Sequence, residues 1–335
     1  MTRLQHNRAS IFDLRPGDKV MVGDVPYSVK KAARGGMGFI VLLWQDSEKA
    51  PQRRSVHGMK LALKTVLPDV ADREGVALFK RELTVWAAFH HPNIVWLNEI
   101  LDGGADGWIA AMDWCLGSLR DILKAKHRLP LKEATIVIDD VLEGLSHAYR
   151  QDQVLHLDLK PENILYNLDI RRMGKGSNDP IHTSRFMVSD WGIASIKQPK
   201  LNAIAGMPPS SQSVIRTFNN IGTLLYMAPE RFRQGFHSSV ASDVFSLGMI
   251  YLELLTGTLP FRAEIHPVQS LLSGQYYNDA HTLMTKTSVP RKIRELILTM
   301  LAPLVRNRPS DHVALRVSVV EAYRSATGLL AKLFN

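Results

Sequence analysis

Residues 154–165 read VLHLDLKPENIL, with apolar residues at both ends and a polar centre that contains Asp158, Lys160 and Asn163. The apolar ends, residues 154–155 and 164–166, predict short strands, so the residues between them are expected to form a tight loop held at both ends. Pro161 fixes its own φ and removes one backbone donor, which stiffens this loop. On these residues alone, a solvated surface hairpin and a functional loop are equally good interpretations.

Residues 156–163 carry the order H-x-D-x-K-P-E-N. This order resembles the catalytic loop of eukaryotic-type (Hanks-type) serine/threonine protein kinases, in their bacterial-like form, whose signature is H-R-D-x-x-x-x-N. Two further motifs follow in the order of that family: residues 190–192, Asp-Trp-Gly, resemble the Asp-Phe-Gly tripeptide, and GTLLYMAPE at 222–230 resembles the end of the activation segment. The resemblance implies an α+β, two-lobed kinase fold with a small β-rich lobe that holds one key helix and a larger, mainly helical lobe.

The resemblance spans roughly residues 25–320 and implies a single kinase domain. We expect an N-terminal extension at 1–24, the smaller lobe at 25–114, the larger lobe at 115–320 and a C-terminal helical extension at 321–335. Within the larger lobe, the sequence predicts an amphipathic helix over 131–152, an exposed hairpin across the polar insertion at 167–185 and a buried helix over 242–261.

Composition is that of a globular protein, with 335 residues, 45% apolar and 22% charged. The most apolar stretch, residues 240–257, carries Asp243 and Glu253, which predicts a buried helix and no membrane span. Cys115 is the only cysteine, which excludes an internal disulfide and a cysteine-based zinc site. With no apolar signal core near the N-terminus, the expected location is the cytoplasm. The net charge of +9 is spread along the chain without a basic and aromatic patch, so no nucleic-acid partner is expected.

A glycine-rich turn, ARGGMG, lies between two strand-like runs within residues 20–43. Gly35, Gly36 and Gly38 would let the backbone approach a bound phosphate closely. The kinase pattern G-x-G-x-x-G-x-V is matched incompletely, since Ala33 stands at the first glycine and Ile40 at the valine. A Walker loop is disfavoured, because it would need Gly-Lys-Ser/Thr at the start of a helix.

A lysine and a glutamate are expected to form an ion pair. Lys64 interrupts the strand-like run at 60–68, and Glu82 lies close to the apolar face of a helix predicted over 72–89. A carboxylate there is costly to bury unless a cation meets it, and Lys64 is the natural candidate. The resemblance implies the same pair, in which the lysine contacts the α- and β-phosphates of ATP and the glutamate holds it.

The resemblance also assigns the adenine pocket and the catalytic groups. Met112 takes the gatekeeper position between the lobes. The nucleotide-contacting residues other than the glycines and the ion pair are Ile40, Ala62, Met112, Asp113, Cys115 and Leu165.

The implied reaction transfers the γ-phosphate of ATP to Ser/Thr hydroxyls of protein substrates. Asp158 would accept or orient the hydroxyl proton, and Lys160 would steady the γ-phosphate. Asn163 and Asp190 would hold Mg²⁺, or Mn²⁺ in its place, since hard cations prefer oxygen ligands. Thr223 would contact the catalytic Asp and Lys.

Three further residues are expected to support the site, and a fourth to affect its regulation. The resemblance pairs Glu230 with Arg308, and it places Asp243 against the backbone of the catalytic loop. Leu157 stands where most of the family has arginine, so the resemblance implies the non-RD subtype. We therefore expect activity to be independent of phosphorylation in the 190–230 segment, which contains Ser210, Ser211, Ser213 and Thr217.

Two alternatives share much of this pattern. A nucleotide-binding pseudokinase scaffold would fit Ala33 and Trp191, although the polar catalytic residues are all present. A small-molecule kinase on a related fold would share the catalytic and metal-binding residues. It would not be expected to carry GTLLYMAPE with the Glu230 and Arg308 partners.

Overall fold

The computed structural model describes residues 2–34, 38–45, 60–66, 80, 83–169, 172, 180–191, 224–233 and 238–328. The chain divides into two compact units. The first comprises Met1–Cys115 with Trp191–Ile196, and the second comprises Leu116–Asp190 with Lys197–Asn335. The domain limits expected at residues 24, 114 and 320 stay predictions.

The first unit is built on an antiparallel sheet. Its described strands, in order across the sheet, are β1 (Leu4–His6), β2 (Lys19–Val22), β3 (Val25–Arg34), β4 (Gly38–Gln45), β5 (Lys60–Val66), β7 (Trp108–Asp113) and β6 (Leu97–Asp102). Short 3-10 helices lie at Ile11–Asp13 and Gly104–Asp106. Arg3 also forms a parallel bridge with Asp102. The segment before β1 thus reaches the opposite edge of the sheet.

The N-terminal segment belongs to the core of the first unit. Leu4, Ile11, Leu14 and Val20 are buried in one cluster with inward-facing residues of the later strands. Asp106, in the 3-10 helix Gly104–Asp106, also binds this segment. Its carboxylate accepts from the Ser10 hydroxyl at 2.5 Å and from the Ile11 N–H at 2.8 Å. Residues 2–22 therefore extend and cover the sheet.

The hairpin predicted around ARGGMG is confirmed, since β3 and β4 pair antiparallel with Arg34 opposite Phe39. Residues 35–37 lie outside the described residues. Of the helix predicted over 72–89, the structure describes a helical stretch at residues 83–87. That stretch ends against Phe89, which is buried.

The second unit contains a small sheet and a bundle of helices. The sheet has the order β10 (Ser184–Val188), β9 (Ile164–Leu168), β8 (Gly117–Ser118). Its described α-helices are α1 (Leu119–Lys126), α2 (Leu131–Asp152), α3 (Pro180–Thr183), α4 (Val240–Thr256), α5 (Pro267–Ser273), α6 (Gln275–Thr285), α7 (Arg291–Met300) and α8 (His312–Thr327). Its 3-10 helices lie at Pro161–Asn163, Pro229–Phe232 and Val305–Asn307.

Helix α4 is the centre of the second unit, as predicted from its apolar sequence. Every residue from Val240 to Leu255 is buried. Gly248 lets α7 pack closely, because a Cβ there would lie 2.9 Å from the Met300 Cβ. The helix ends at Thr256, earlier than residue 261, because Gly257 adopts a left-handed conformation with φ 79°.

The amphipathic helix predicted over 131–152 is confirmed as α2. The hairpin predicted across the insertion is confirmed at its described ends, where Leu168 of β9 pairs with Ser184 of β10. Its expected exposure is wrong at Asp169, Ile181 and Ser184, which are buried. Arg172, also within the insertion, donates to both carboxylate oxygens of Asp140 at 2.9 and 2.7 Å. The insertion is therefore tied to α2 by a charged pair.

The strand predicted at residues 154–155 is wrong. After α2, Gln153 adopts a left-handed conformation with φ 53°, and residues 153–160 form no regular element. The Val154 N–H instead donates to the Ala148 carbonyl of α2 at 3.4 Å, and the N–H groups of His156 and Leu157, which follow, donate to the carboxylate of Asp243. The segment is therefore held by α2 and by a side chain of α4.

Among the described residues, no helix combines the length and the apolar character needed to cross a membrane.

Candidate active site

Asp243 fixes the backbone of the loop that contains Asp158. Its carboxylate is fully buried and accepts from the His156 N–H at 2.8 Å and from the Leu157 N–H at 2.7 Å. This confirms the expected support of the loop by Asp243. Leu157 has φ 59°, a left-handed conformation that costs a non-glycine residue roughly 1–3 kcal/mol. The two bonds to Asp243 help to hold it there.

His156 links the loop to the end of β10. The Asp158 N–H donates to the Nδ1 of His156 at 3.2 Å, so Nδ1 is an acceptor and the ring proton lies on Nε2. The Nε2 then donates to the carbonyl oxygen of Ser189 at 2.7 Å. The imidazole is fully buried. It therefore connects the backbone before Asp158 to the residue before Asp190.

Asp158, Lys160 and Asn163 form one hydrogen-bonded cluster. The Asp158 Oδ2 accepts from the Lys160 Nζ at 3.0 Å and from the Asn163 Nδ2 at 3.2 Å. The same Asn163 nitrogen donates to the Asp158 backbone carbonyl at 2.9 Å. Asp158 is only 5% exposed, so these bonds set the orientation of a nearly buried carboxylate.

Lys160 keeps its positive charge in this cluster. Burial alone would lower its pKa, but the neighbouring carboxylates of Asp158 and Asp190 more than offset burial, and the pKa of Lys160 is raised. A cation therefore stands beside two acidic side chains at neutral pH.

Asn163 and Asp190 are brought together through Ser189. The Asn163 carbonyl accepts from the Ser189 N–H at 2.9 Å and from the Ser189 hydroxyl at 3.1 Å. Asp190 follows directly, buried and in a left-handed conformation with φ 63°. The pair offers a carboxylate and an amide oxygen, which suit Mg²⁺, an ion usually held by one or two carboxylates together with substrate phosphates. Among the described residues, no group of three or more His, Cys, Asp or Glu side chains forms an all-protein metal site.

In the first unit, strand register places several predicted nucleotide-contacting residues on one face of the sheet. Lys64 of β5 lies opposite Ile40 of β4, and Ala62 of β5 lies opposite Met112 of β7. Residues two apart on a strand share a face, so these four side chains do. The apolar cluster that includes Val41, Leu63 and Ala111 comes from the intervening positions and occupies the other face.

Gly38 is required by a close approach on the Lys64 face. A Cβ at this position would lie 2.8 Å from the Thr65 carbonyl oxygen and 3.7 Å from the Lys64 Cε. The glycine thus lets the start of β4 pack directly against the strand that carries Lys64.

Asp113 and Cys115 follow the end of β7. The Asp113 carboxylate accepts from the Asn98 Nδ2 at 3.1 Å, and its N–H donates to the Trp96 carbonyl at 3.0 Å. Burial, with a smaller effect of Asp113, raises the pKa of the Cys115 thiol to about 12. Burial therefore favours the protonated thiol form of Cys115 at neutral pH.

Trp191 is accommodated as a core residue of the first unit. It is 2% exposed, and its ring meets the ring of Phe89 edge-on, with centroids 5.2 Å apart and an interplanar angle of 68°. An aromatic residue larger than phenylalanine therefore fits at this position. Leu165, the remaining adenine-pocket prediction, lies in β9 opposite Ser118.

Four of the predicted site residues, Gly35, Gly36, Glu82 and Thr223, lie outside the described residues. Their roles, including the ion pair of Lys64 with Glu82, stay predictions. The structural pair predicted between Glu230 and Arg308 is confirmed, with two parallel hydrogen bonds at 2.8 and 2.9 Å.

Sequence reasoning missed a network around Arg120. Its guanidinium donates to Glu162 of the loop at residues 156–163 at 2.8 Å and to Glu253 of α4 at 2.7 Å. Tyr226 donates to the other oxygen of Glu253 at 2.5 Å. Burial opposes the charge of Arg120, but Tyr226 and the two carboxylates leave its pKa raised. No spacing rule links these positions, which are far apart in the sequence.

Sequence reasoning also missed Arg231. This side chain is 5% exposed, and its guanidinium donates to the carbonyl oxygen of Leu157. The only sequence signal was its place directly after the Pro-Glu of GTLLYMAPE.

Comparison with known proteins agrees with this geometry. The family profile described as "Protein kinase domain" matches residues 51–320, which leaves Gly38 and Ile40 outside the matched range. The serine/threonine-protein kinase PrkC of Bacillus subtilis (strain 168) is 28% identical over 245 residues, or 72% of this chain. The probable serine/threonine-protein kinase PknB of Lactococcus lactis is 25% identical over 286 residues, or 84% of this chain. The serine/threonine-protein kinase PkaB of Streptomyces coelicolor is 30% identical over 256 residues, or 75% of this chain.

The matched regions cover 33%, 39% and 55% of the lengths of these three relatives. The predicted α+β kinase fold, with a strand-rich first unit and a mainly helical second unit, is confirmed. With a profile match over most of its length and the loop of residues 156–163 in place, the chain belongs to the protein kinase domain family.

Proposed function

We propose that this chain is an ATP-dependent serine/threonine protein kinase that transfers the γ-phosphate of ATP to Ser/Thr hydroxyls of protein substrates. The observation that carries the proposal is the cluster in which Lys160 and Asn163 both donate to the Asp158 Oδ2. Phosphoryl transfer depends on positioning and on charge stabilisation, and this cluster supplies a fixed carboxylate with a cation beside it. The relatives named as serine/threonine kinases support the choice of substrate class.

In this mechanism Asp158 orients the substrate hydroxyl and accepts its proton as the new O–P bond forms. The bond from the γ-phosphorus to the β,γ-bridging oxygen breaks in the same step, and ADP leaves. Lys160 stands beside the transferring group and offsets its negative charge.

We expect the nucleotide to be bound by the residues that the kinase resemblance assigns to it. Lys64 contacts the α- and β-phosphates, and the face of the sheet that it shares with Ile40, Ala62 and Met112 receives the nucleotide, together with Asp113, Cys115 and Leu165. Asn163 and Asp190 would hold Mg²⁺, or Mn²⁺, and the metal would supply neutralisation of phosphate charge.

The test is phosphate transfer from radiolabelled ATP with Mg²⁺ to a generic protein substrate. Asp158→Asn removes the proton acceptor and should abolish transfer, whereas Asp152→Asn, an exposed site at the end of α2, should leave it unchanged. Binding of nucleotide without transfer by the wild type would favour a pseudokinase scaffold. Label on a metabolite, and never on protein, would favour a small-molecule kinase.

A further inference from the structure

Leu157 is held by charged side chains at both of its backbone polar groups. Its N–H donates to the Asp243 Oδ1 at 2.7 Å, and its carbonyl oxygen accepts from the guanidinium of Arg231. Leu157 has φ 59° and lies outside any regular element, and among the described residues the Arg231 side chain supplies a donor to its carbonyl.

The contact bears directly on Asp158, because the Leu157 carbonyl and the Asp158 N–H belong to one planar peptide. Arg231 binds this peptide at its oxygen, and the His156 Nδ1 binds it at its nitrogen, at 3.2 Å. A peptide plane held at both ends fixes the direction in which the Asp158 side chain leaves the backbone.

Arg231 contacts the loop and not the carboxylate of its neighbour Glu230. Both oxygens of that carboxylate accept hydrogen bonds from Arg308, and one also accepts from Ser242. Burial lowers the pKa of Arg231, and the negative charges of Asp243, Asp158 and Glu230 act in the opposite direction. A guanidinium cannot lose its proton under ordinary conditions, so the buried group stays a cation.

We propose that Arg231 is a positioning residue for Asp158. Arg231 holds the Leu157–Asp158 peptide, and it supplies a buried cation that position 157 lacks. The proposal rests on the kinase function proposed above. Position 157 carries leucine where the family signature has arginine, and in this chain a cation reaches the same peptide from the 3-10 helix Pro229–Phe232.

The first test compares Arg231→Met with Arg231→Lys, and uses Arg233→Met as the matched control. Arg233 is exposed and lies two residues further on. We expect Arg231→Met to lower kcat by roughly 10–100-fold, while the KM for ATP and the Kd for a nucleotide analogue stay at wild-type values. Arg231→Lys should recover part of kcat, because lysine keeps the charge but not the planar fork. Arg233→Met should match the wild type.

A second test asks whether Arg231 acts through Leu157. Glycine adopts a positive φ without strain, so Leu157→Gly should reduce the need for an external clamp. We expect Arg231→Met to lower kcat less in the Leu157→Gly background than in the wild-type background. Equal losses in the two backgrounds would contradict the proposed route.

The outcomes separate this proposal from the proposed function. If the wild type transfers no phosphate to any substrate, the kinase function fails and the positioning role falls with it. If the wild type is active and folded Arg231→Met keeps wild-type kcat, only the positioning role is overturned. If Arg231→Met does not fold, Arg231→Lys decides: a kcat below that of the wild type at unchanged KM supports the positioning role, and wild-type kcat in that variant overturns it.

Discussion

Arg308 and Glu230 face each other as a bidentate pair, with hydrogen bonds of 2.8 and 2.9 Å between two nearly inaccessible side chains. Arg308 also donates to the carbonyl of Ala302 at 2.6 Å, and its guanidinium lies 4.8 Å from the ring centroid of Phe245. The pair therefore joins the segment after Leu224, helix α4 and the turn before α8 in one buried arrangement.

Arg308→Met should destabilise the second unit, because it leaves the Glu230 carboxylate buried without its cation. Breaking one partner of a buried pair costs about 3–5 kcal/mol. Urea denaturation would measure this loss. The control is Arg291→Met, which removes an exposed pair with Glu295 on the surface of α7 and should leave the midpoint unchanged. Equal midpoints for the two variants would contradict the structural role of Arg308.

Ile11→Ala tests whether the N-terminal segment is part of the folded core. Ile11 is fully buried among residues of the first sheet. Removal of its side chain should cost about 2–5 kcal/mol of unfolding free energy, measured by denaturation. Val317→Ala, at a position 53% exposed on α8, serves as the comparison and should change little. A negligible loss at Ile11 would mean that residues 2–22 do not contribute to the core.

His312 should make the second unit sensitive to acid. Burial lowers its pKa, although Asp243 and Asp311 act in the opposite direction, and among the described residues neither ring nitrogen has a hydrogen-bond partner. The unfolded state therefore binds a proton more readily than the folded state. His312 therefore leaves the free energy of unfolding unaffected above the unfolded histidine pKa of about 6.5, and it lowers this free energy as the pH drops below that value.

The measurement is the unfolding free energy at about pH 7.5 and about pH 5.5, on either side of the ordinary histidine pKa. His312→Phe keeps a ring against Tyr149 and should lose less stability on acidification than the wild type. His281→Gln, at an exposed position on α6, should show the wild-type dependence. Identical acid profiles for the wild type and His312→Phe would exclude this residue as the source.

Gly38→Ala should weaken nucleotide binding. The added Cβ would meet the Thr65 carbonyl at 2.8 Å, so β4 must move away from the strand that carries Lys64. We expect the Kd for ATP to rise roughly tenfold, which corresponds to about 1.4 kcal/mol. Lys31→Ala, exposed on the neighbouring β3, should bind ATP as the wild type does. Unchanged affinity in Gly38→Ala would show that the close packing at β4 does not position Lys64 for ATP.

The local patterns predicted most of the elements near the site. Helix α4 was predictable because an apolar run of that length has to be buried, and the β3–β4 hairpin because strand-like runs flank a glycine turn. The added strands β1 and β2 were not predictable, since Leu4, Ile11, Leu14 and Val20 follow no regular period. These residues are held by tertiary packing.

Some charged contacts near the site could be predicted from the sequence, and others could not. Glu230 and Arg308 were found because the family resemblance names both partners. Arg231 and Arg120 were not found, because each contact joins positions far apart in the sequence whose meeting depends on the tertiary fold. Residues 154–155 were misassigned because the Asp243 carboxylate, which no local pattern reveals, binds the backbone that follows them.

Activity should not depend on phosphorylation of the segment between Trp191 and Leu224. In the family, arginine directly before the catalytic aspartate reads a phosphorylated activation segment, and this chain has Leu157 there. Arg231 brings a cation close to the same peptide, but it is 5% exposed and bonded to the Leu157 carbonyl, so it offers little surface to a phosphate. We therefore expect Ser210, Ser211, Ser213 and Thr217, replaced together by alanine, to leave kcat unchanged. The assay is phosphate transfer after phosphatase treatment, with untreated wild type as reference. Loss of transfer in a quadruple variant that still unfolds at the wild-type midpoint would contradict this prediction.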